Sequence, residues 1–169
     1  MDHPGARYRI DLNMRLDASP ARAYAVFTDF RNLPRINPVV REEQVTAGNT
    51  PDTEKLRTRI DACVVFFCRT LHQVQTVHLQ PRVDGGDMRA DVVPALSDFR
   101  YGVAYWSFRP CVDDAQQTCM RFRARMEPAF WIPALIGPWL IERQLRKESI
   151  VAGKGIERLA RGGTSKAVQ

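Results

Sequence analysis

Residues 128–161 read PAFWIPALIGPWLIERQLRKESIVAGKGIERLAR, and they contain the one long helical pattern of the chain. From Pro133 onward apolar residues recur at a helical period. Because proline lacks an amide hydrogen, Pro138 is expected to begin this helix or to kink it one turn in. A long amphipathic helix that follows a sheet with one apolar face is expected to lie across that face and close a cavity. This arrangement points to a binding function.

The chain before that helix is mostly strand-like. Residues 8–16 alternate apolar and polar side chains, which predicts a first strand with one buried face. After Val39 the alternation continues for almost ninety residues, and turn-forming residues interrupt it. The interruptions fall at 48–51, 64–67, 81–86, 94–97 and 113–117. Six more strands fit between them, so we expect an antiparallel sheet with one dry face and one wet face.

Two short helices are expected between the first and second strands. Ser19 followed by Pro20 is typical of a helix N-terminus, since serine caps well and proline suits the first helical position. Asn32 can cap a second short helix that ends before Pro38, because the residue before a proline is pushed out of the helical region.

Length and composition fit a single globular domain over residues 1–162 with a flexible tail at 163–169. The chain has 169 residues, 44% hydrophobic and 26% charged, and no apolar run approaches the ~20 residues that span a bilayer. The first residues lack the basic start and apolar stretch of a secretory signal, so we expect a cytoplasmic protein, with peripheral membrane contact as an addition. The net charge of +6 favours anionic partners.

Three segments resemble a known superfamily: LDASPARAYAVFTDFRNLPRINP at 16–38, YWSF at 105–108, and the closing amphipathic helix. The chain is similar to the helix-grip superfamily of START domains, birch-pollen-allergen-like proteins, polyketide cyclases and dehydrases, and coenzyme Q-binding proteins. The resemblance implies an α+β fold. In that fold a curved seven-stranded antiparallel sheet, with two short helices after strand 1, grips a long C-terminal helix around an apolar cavity. It names no ligand, because the superfamily hosts carriers, receptors and ring-closing enzymes.

Strand phase and the helix-grip resemblance together predict which residues bind the ligand. One face of each strand, one position of the first short helix and one face of the closing helix supply them. The predicted set is Phe27, Leu56, Thr58, Ile60, Phe99, Tyr101, Trp106, Phe108, Met120, Phe122, Ala124, Ile132, Leu135, Ile136 and Trp139. The alternative is a solid core, because the same residue types fill ordinary cores. Methionine in the wall would suit a flexible, hydrocarbon-like ligand.

One end of the predicted sheet is unusually apolar. In an antiparallel meander alternate connections lie at the same end, so CVVFFC at 63–68, PALSDF at 94–99 and PAFWIP at 128–133 should lie together. Hairpin turns are normally polar, and an exposed apolar patch marks a membrane or partner contact. We therefore predict that an anionic membrane surface contacts the cavity mouth, with arginines assisting. The predicted contacts are Val64, Val65, Phe66, Phe67 and Trp131. The alternative is that 64–67 are ordinary buried strand residues.

The titratable residues suggest neither a metal nor a cofactor. Cys63 and Cys68 would face each other across a hairpin, and the sequence leaves open whether they are bonded, although free thiols are commoner in a reducing cytoplasm. Cys111 and Cys119 flank another turn, and the spacings do not match a zinc site. His72 and His78 share a strand face about 20 Å apart by strand rise. No catalytic residue is assigned, since no phosphate loop, nucleophile elbow or paired-carboxylate signature is present.

Three functions remain in competition. The favoured one is a non-catalytic carrier of a hydrophobic small molecule, a lipid or an isoprenoid- or quinone-like compound. The alternative is a polyketide cyclase/dehydrase-like enzyme acting on an aromatic precursor, which would need an inward Arg, His or Asp. Nucleic-acid binding is a distant third. It depends on a stripe of arginines on the outer face of the sheet, and we expect no aromatic side chains there on which bases could stack. The stripe is Arg57, Arg59, Arg121, Arg123 and Arg125. The oligomeric state is not indicated.

Overall fold

The computed structural model describes residues 6–162, so the predicted tail at 163–169 and His3 lie outside the described residues. Seven strands and three α-helices occur in that part of the chain. Their bounds are β1 Tyr8–Leu16, α1 Pro20–Thr28, α2 Leu33–Ile36, β2 Val40–Ala47, β3 Thr53–Val64, β4 Phe67–Arg82, β5 Gly85–Val92, β6 Phe99–Pro110, β7 Thr118–Pro128 and α3 Pro138–Ala160. The predicted order of elements is confirmed.

All seven strands belong to one curved antiparallel sheet with the order β1-β7-β6-β5-β4-β3-β2. β2 to β7 form a meander, and β1 joins it by pairing with β7, so that β1 and β2 are the two edges. Along β1 the side chains of Tyr8, Ile10 and Leu12 are buried while the residues between them are exposed. β7 repeats this alternation from Met120 to Ala124. The predicted helix-grip fold, with one dry face and one wet face of the sheet, is confirmed.

The two short helices lie between β1 and β2 as predicted. Ser19 precedes α1 in an extended conformation and Pro20 takes the first helical position, although the Ser19 side chain makes no capping hydrogen bond. Asn32 precedes α2 and its side-chain amide donates to the carbonyl of Val26 instead of capping the helix. Phe27 of α1 and Ile36 of α2 are buried, as is Phe30 in the 3₁₀ turn between the two helices.

α3 begins at Pro138 and not earlier. Residues 129–137 are not helical, and they connect β7 to α3 through Pro133. The prediction that Ile132, Leu135 and Ile136 belong to the closing helix is therefore wrong. Prolines at 128, 133 and 138 explain the difference, since each removes a backbone donor and disfavours the helical region in the residue before it.

The C-terminal half of α3 packs tightly against the sheet and α2. Gly155 lies so close to Ile36 that a side-chain carbon at that position would overlap the Ile36 carbonyl. A carbon added to Gly153 would lie 2.5 Å from the sulfur of Met14. The neighbouring Ile156 is fully buried in the main core cluster, together with Phe108 and Met120. Glycine thus permits a close approach that any larger residue would prevent.

The chain connections divide between the two ends of the sheet. The β3–β4, β5–β6 and β7–α3 connections share one end, and the other hairpins share the opposite end. The β3–β4 hairpin turns through Val65 and Phe66, and Val65 adopts a positive φ of 56°. No helix within residues 6–162 combines the length and apolar character needed to cross a membrane.

Both cysteine pairs form disulfides across adjacent strands. Cys63 and Cys68 are directly opposite in the β3–β4 register, with their Cα atoms 4.1 Å apart. Cys111 and Cys119 close the β6–β7 connection, with Cα atoms 5.0 Å apart. The open question on Cys63 and Cys68 is answered, since they are bonded and not free thiols, and the bond between Cys111 and Cys119 was not predicted. Hairpin geometry brings each pair close enough to bond.

Candidate functional site

A cavity of about 320 Å³ lies between the sheet and the N-terminal half of α3. The buried cluster around Ile156 fills the space under the C-terminal half of the helix. The cavity wall is made by the inner faces of β1, β3, β4, β6 and β7, by the connection before α3, and by one stripe of the helix. That stripe is Ile141, Gln144, Leu145, Glu148, Ser149 and Ala152. The interior is therefore solid at one end and hollow at the other.

Aromatic rings form the back of the cavity. Trp106 stacks on Phe122 with ring centroids 3.9 Å apart, and Phe27 packs against Trp106 at 4.5 Å. Phe99 and Phe130 meet edge to face at 6.4 Å nearer the opening. Stacked rings at these distances form a rigid apolar wall.

The β3–β4 hairpin and the connection before α3 meet at one end of the cavity, and we take this end as its mouth. Val64 and Phe67, on either side of the turn, pack in one cluster with Ile132, Ile136 and Ile141. Arg69 stacks over the Phe130 ring, with its guanidinium carbon 4.5 Å from the ring centroid. A cation thus lies at the edge of an apolar opening.

Five apolar side chains at this end point away from the protein. Val65 is 70% exposed, Phe66 69% and Trp131 75%. Leu135 and Trp139 are also largely exposed. Val65 and Phe66 lie on the β3–β4 hairpin, Trp131 and Leu135 on the connection before α3, and Trp139 in the first turn of α3. We call these five residues the mouth patch. Single exposed apolar residues are ordinary, but several of them on segments that meet at one end of a cavity indicate a contact surface.

The cavity wall also contains a polar group of three side chains. The amide nitrogen of Asn37 donates to Glu148 Oε2 at 3.0 Å, and the amide nitrogen of Gln144 donates to Glu148 Oε1 at 2.8 Å. Asn37 is 8% exposed, and its own carbonyl oxygen accepts from the backbone amide of Val39. Among residues 6–162, no Lys, Arg or His forms an ion pair with Glu148.

The other titratable residues of the wall are already engaged. Asp61 accepts from Arg41 and Thr70, and these hydrogen bonds hold the pKa of its carboxyl below the ordinary value. Burial raises the pKa of Tyr8, and the nearby charge of Glu142 raises it further, so Tyr8 keeps its hydroxyl proton. Within the described residues, no group of three or more His, Cys, Asp or Glu side chains could hold a metal ion.

The structure brings some of the predicted ligand-binding residues together around the cavity. Those that line it are Ile60, Phe99, Trp106, Phe122, Ile132 and Ile136. Others face the same side of the sheet but lie in solid packing beside or beneath the cavity: Phe27, Leu56, Thr58, Phe108, Met120 and Ala124. Their inward phase was predicted correctly. What the phase could not indicate is where the packing stops and the cavity begins.

Three predicted residues point elsewhere. Tyr101 lies on the outer face, because the β6–β7 register shifts between Phe99 and Tyr101 and such a shift reverses the side of every later residue. Leu135 and Trp139 belong to the exposed mouth patch and not to a lid. Of the predicted membrane contacts, Val65, Phe66 and Trp131 are in that patch, whereas Val64 and Phe67 line the cavity.

Sequence reasoning missed the polar group and most of the α3 stripe. The signal was present, since positions 141, 145, 148 and 152 share one helical face. Asn37 had no signal of its own, because its contact with Glu148 joins residues 111 positions apart.

The outer face of the sheet carries aromatic side chains among its arginines. Tyr105 lies between Arg89 and Arg123, whose guanidinium carbons are 5.5 and 5.9 Å from the ring centroid. Tyr101 and Tyr105 line a shallow groove with Arg9, Arg123 and Arg125. The expectation that this arginine stripe offers no aromatic rings is wrong, because Tyr105 lies on the outer face, and so does Tyr101, which was predicted to face the cavity.

Comparison with known proteins yields one family and a group of similar folds. The family model for polyketide cyclases/dehydrases and lipid transport proteins matches residues 8–161. Among solved structures, the protein TTHA0849 from Thermus thermophilus superposes with a TM-score of 0.74 at 16% identity, covering 93% of this chain and 99% of its own. The Zhui aromatase/cyclase from Streptomyces sp. R1128 gives 0.73 at 10% identity, covering 96% and 98%.

A STAR-related lipid transfer protein fragment from Xanthomonas axonopodis gives a TM-score of 0.71 at 17% identity, covering 90% of this chain and 85% of that one. At such identities the likeness concerns the fold alone. No curated protein matches the chain by sequence.

Proposed function

The chain belongs to the polyketide cyclase/dehydrase and lipid transport family, and from that premise we propose that it binds and carries a hydrophobic small molecule in the cavity under α3. The ligand is a lipid or an isoprenoid- or quinone-like compound, and the cavity mouth docks on a membrane surface. One observation carries the proposal: the exposed residues of the mouth patch lie beside residues that line the apolar cavity, on the same segments of the chain.

The cavity supports ligand binding by its size and its lining. Small-molecule sites usually occupy about 300–1,000 Å³ and are mostly apolar with a few polar groups. The cavity of about 320 Å³ lies at the lower end of that range, and aromatic and aliphatic side chains dominate its wall. A compact apolar ligand, or one part of a longer chain, fits this space.

The mouth patch supports docking on a lipid surface. Tryptophan is favoured at the bilayer interface, and the patch has Trp131 and Trp139. Arg69, which stacks on Phe130 at the mouth, adds a cation, worth about 1 kcal/mol near an anionic membrane. A peripheral location in the cytoplasm accords with this mode of contact.

Ligand carriage is tested by native mass spectrometry of freshly purified protein, followed by organic extraction and identification of the extract. We expect a mass increment of one hydrophobic molecule that disappears after extraction. Protein that remains empty after incubation with lipid extracts from its host cells would contradict the carrier function.

Docking is tested by co-sedimentation with liposomes of phosphatidylcholine and phosphatidylglycerol. Placing a carboxylate at Phe66 (Phe66→Asp) removes a large apolar contact and adds repulsion, so binding should weaken at least tenfold, about 1.4 kcal/mol. The matched pair is Val65→Asp and Val83→Asp, which put the same change at exposed hairpin valines on opposite ends of the sheet.

Only Val65→Asp should impair sedimentation. Equal binding by the two valine variants, with both folded, would contradict docking at the mouth.

The enzyme alternative has one observation in its favour. Glu148 places a carboxylate in the cavity wall, where a cyclase or dehydrase would need an acid or base. His72 and His78 lie outside the cavity lining. Chromatography of an extracted ligand before and after incubation with fresh protein separates the two functions, because a carrier returns it unchanged and an enzyme converts it.

A further inference from the structure

Glu148 differs from the other charged groups around the cavity. Asp61 has Arg41 as an ion-pair partner and Arg69 stacks on Phe130, whereas the Glu148 carboxylate has only the amides of Asn37 and Gln144. A carboxylate with two oxygens can accept about four hydrogen bonds. Two acceptor positions therefore remain beside an apolar cavity.

The position of this carboxylate is fixed. Asn37 is buried, and two hydrogen bonds to the backbone fix the orientation of its side-chain amide. Its oxygen accepts from the backbone amide of Val39, and its nitrogen donates to the backbone carbonyl of Glu148. Gln144 lies one helical turn before Glu148 and holds the second oxygen. Such preorganised acceptors bind a donor without the cost of ordering flexible side chains.

The carboxylate lies in the cavity wall far from the mouth. Glu148 is ten residues from the start of α3 at Pro138, about 15 Å along the helix axis at 1.5 Å per residue. The mouth residues Ile132 and Ile136 are at the opposite end of that distance. An elongated ligand that enters at the mouth would bring its leading end to Glu148.

We propose that Glu148, positioned by Asn37 and Gln144, binds the hydrogen-bond-donating head group of an amphipathic ligand whose apolar part fills the cavity. This inference rests on the proposed carrier function and narrows its ligand to a compound with a hydroxyl or amino group. A carboxylate head group is disfavoured, because its negative charge would repel that of the half-buried Glu148 carboxylate. Hydrogen bonds to a charged acceptor contribute more than neutral ones.

The cavity volume sets the size of the test ligands. A volume of about 320 Å³ corresponds to about ten water-sized units at about 30 Å³ each. 1-Decanol, decylamine and decanoate have this size and differ only in the head group. Their competition with the neutral fluorophore N-phenyl-1-naphthylamine, measured at pH 7, compares a hydroxyl donor, a cationic donor and an anion in the same cavity.

Wild-type protein should bind decanol or decylamine at least tenfold more tightly than decanoate. Comparison of decanol with decylamine shows whether a hydroxyl or an ammonium head group is preferred. Glu148→Gln keeps the shape of the side chain but removes its charge, and it should reduce the preference to less than threefold, mainly by admitting decanoate. Glu142→Gln changes an exposed glutamate on the same helix outside the cavity lining, and it should retain the wild-type preference.

The outcomes separate the two proposals. Binding of the fluorophore and all three ligands with equal affinity in wild type and in Glu148→Gln overturns the anchoring role of Glu148 and leaves the carrier function standing. Failure of wild type to bind the fluorophore or any C10 compound overturns both. The wild-type preference alone tests the inference if Glu148→Gln does not fold, and Gln144→Met, which removes one of the two amide donors, should then give a partial loss.

Discussion

At the scale of single residues, Val65 is the least expected side chain at its position. It has a positive φ of 56° in a two-residue hairpin turn, where glycine, asparagine or aspartate is usual. A β-branched residue in this region of backbone space is strained by about 1–3 kcal/mol. A strained and exposed valine in the mouth patch is expected if this position serves the proposed contact with a membrane.

Replacing this valine by glycine should stabilise the fold and weaken docking. Val65→Gly relieves the backbone strain, which raises the unfolding free energy. The greater freedom of glycine in the unfolded chain offsets part of this increase, so the net gain in unfolding free energy should be about 1 kcal/mol. Urea unfolding and liposome co-sedimentation measure the two effects. Val83→Gly, at a turn residue that has no positive φ, should bring no gain. A loss of stability in both variants would contradict strain at Val65.

Asp87 predicts a pH-dependent contribution to stability. Burial raises the pKa of its carboxyl, but hydrogen bonds from Arg109 and Ser107 and the charge of Arg82 outweigh burial, so the pKa lies below its ordinary value. A carboxyl with a lowered folded-state pKa stabilises the protein above the unfolded pKa of about 3.9. That contribution is lost as pH falls through the lower folded value.

Asp87→Asn should therefore lower the melting temperature at pH 7, and the difference from wild type should shrink as pH falls below about 4. Thermal unfolding monitored by circular dichroism across this range measures it. Asp84→Asn, at the adjacent exposed turn, serves as the control, with little change at either pH. A difference for Asp87→Asn that is constant from pH 7 to pH 3 would argue against the ion pair.

At the scale of elements, the contact of α3 with α2 depends on Gly155. Alanine is the better helix former by about 1 kcal/mol, yet its side-chain carbon would overlap the Ile36 carbonyl. Overlap with backbone cannot be relieved by a rotamer change, so Gly155→Ala should destabilise the protein by about 1–3 kcal/mol.

The same substitution at neighbouring positions calibrates this prediction. Gly153→Ala meets the flexible ends of Met14 and Met120, which can move aside, and should cost less. Lys154→Ala, on the exposed side of α3, should change the unfolding free energy by less than about 0.5 kcal/mol. Chemical denaturation of the three variants gives the order, and a Gly155→Ala protein as stable as wild type would contradict the close approach.

At the scale of the whole molecule, two disulfides join strands at opposite ends of the sheet. In the loop-entropy model, the bond that closes the six-residue loop from Cys63 to Cys68 contributes about 2 kcal/mol. The bond that closes the nine-residue loop from Cys111 to Cys119 contributes slightly more, about 2.5 kcal/mol. Urea unfolding with and without reductant should show a combined loss of several kcal/mol. Equal stability in both conditions would contradict the bonded state.

The disulfides also bear on the expected cytoplasmic location, because such bonds persist mainly in oxidising compartments. Alkylation of the protein immediately on cell lysis, followed by mass spectrometry, measures the state in the cell. Four blocked thiols without prior reduction would show that the cytoplasmic form is reduced, whereas labelling only after reduction would favour an oxidising location.

The sequence predicted the element order because each element carries its own period or capping residues, as Ser19 and Pro20 do for α1. It predicted the inward phase of β7 for the same reason. It could not predict the extent of the cavity, which depends on how closely α3 approaches Ile36 through Gly155. It misplaced Tyr101 because a one-residue register shift has no sequence signature here.

The unequal seating of α3 has a consequence for ligand entry. Glycines fix its last turns against Met14 and Ile36, while its first turns rest on a hollow. A tilt of a few degrees about Gly155 would move the Pro138 end, roughly 25 Å away, by about 1 Å. It would loosen the apolar cluster at the mouth, around Ile136 and Ile141, and leave the close contacts of Gly155 in place. We expect a molecule to be admitted by this rocking motion and not by unfolding.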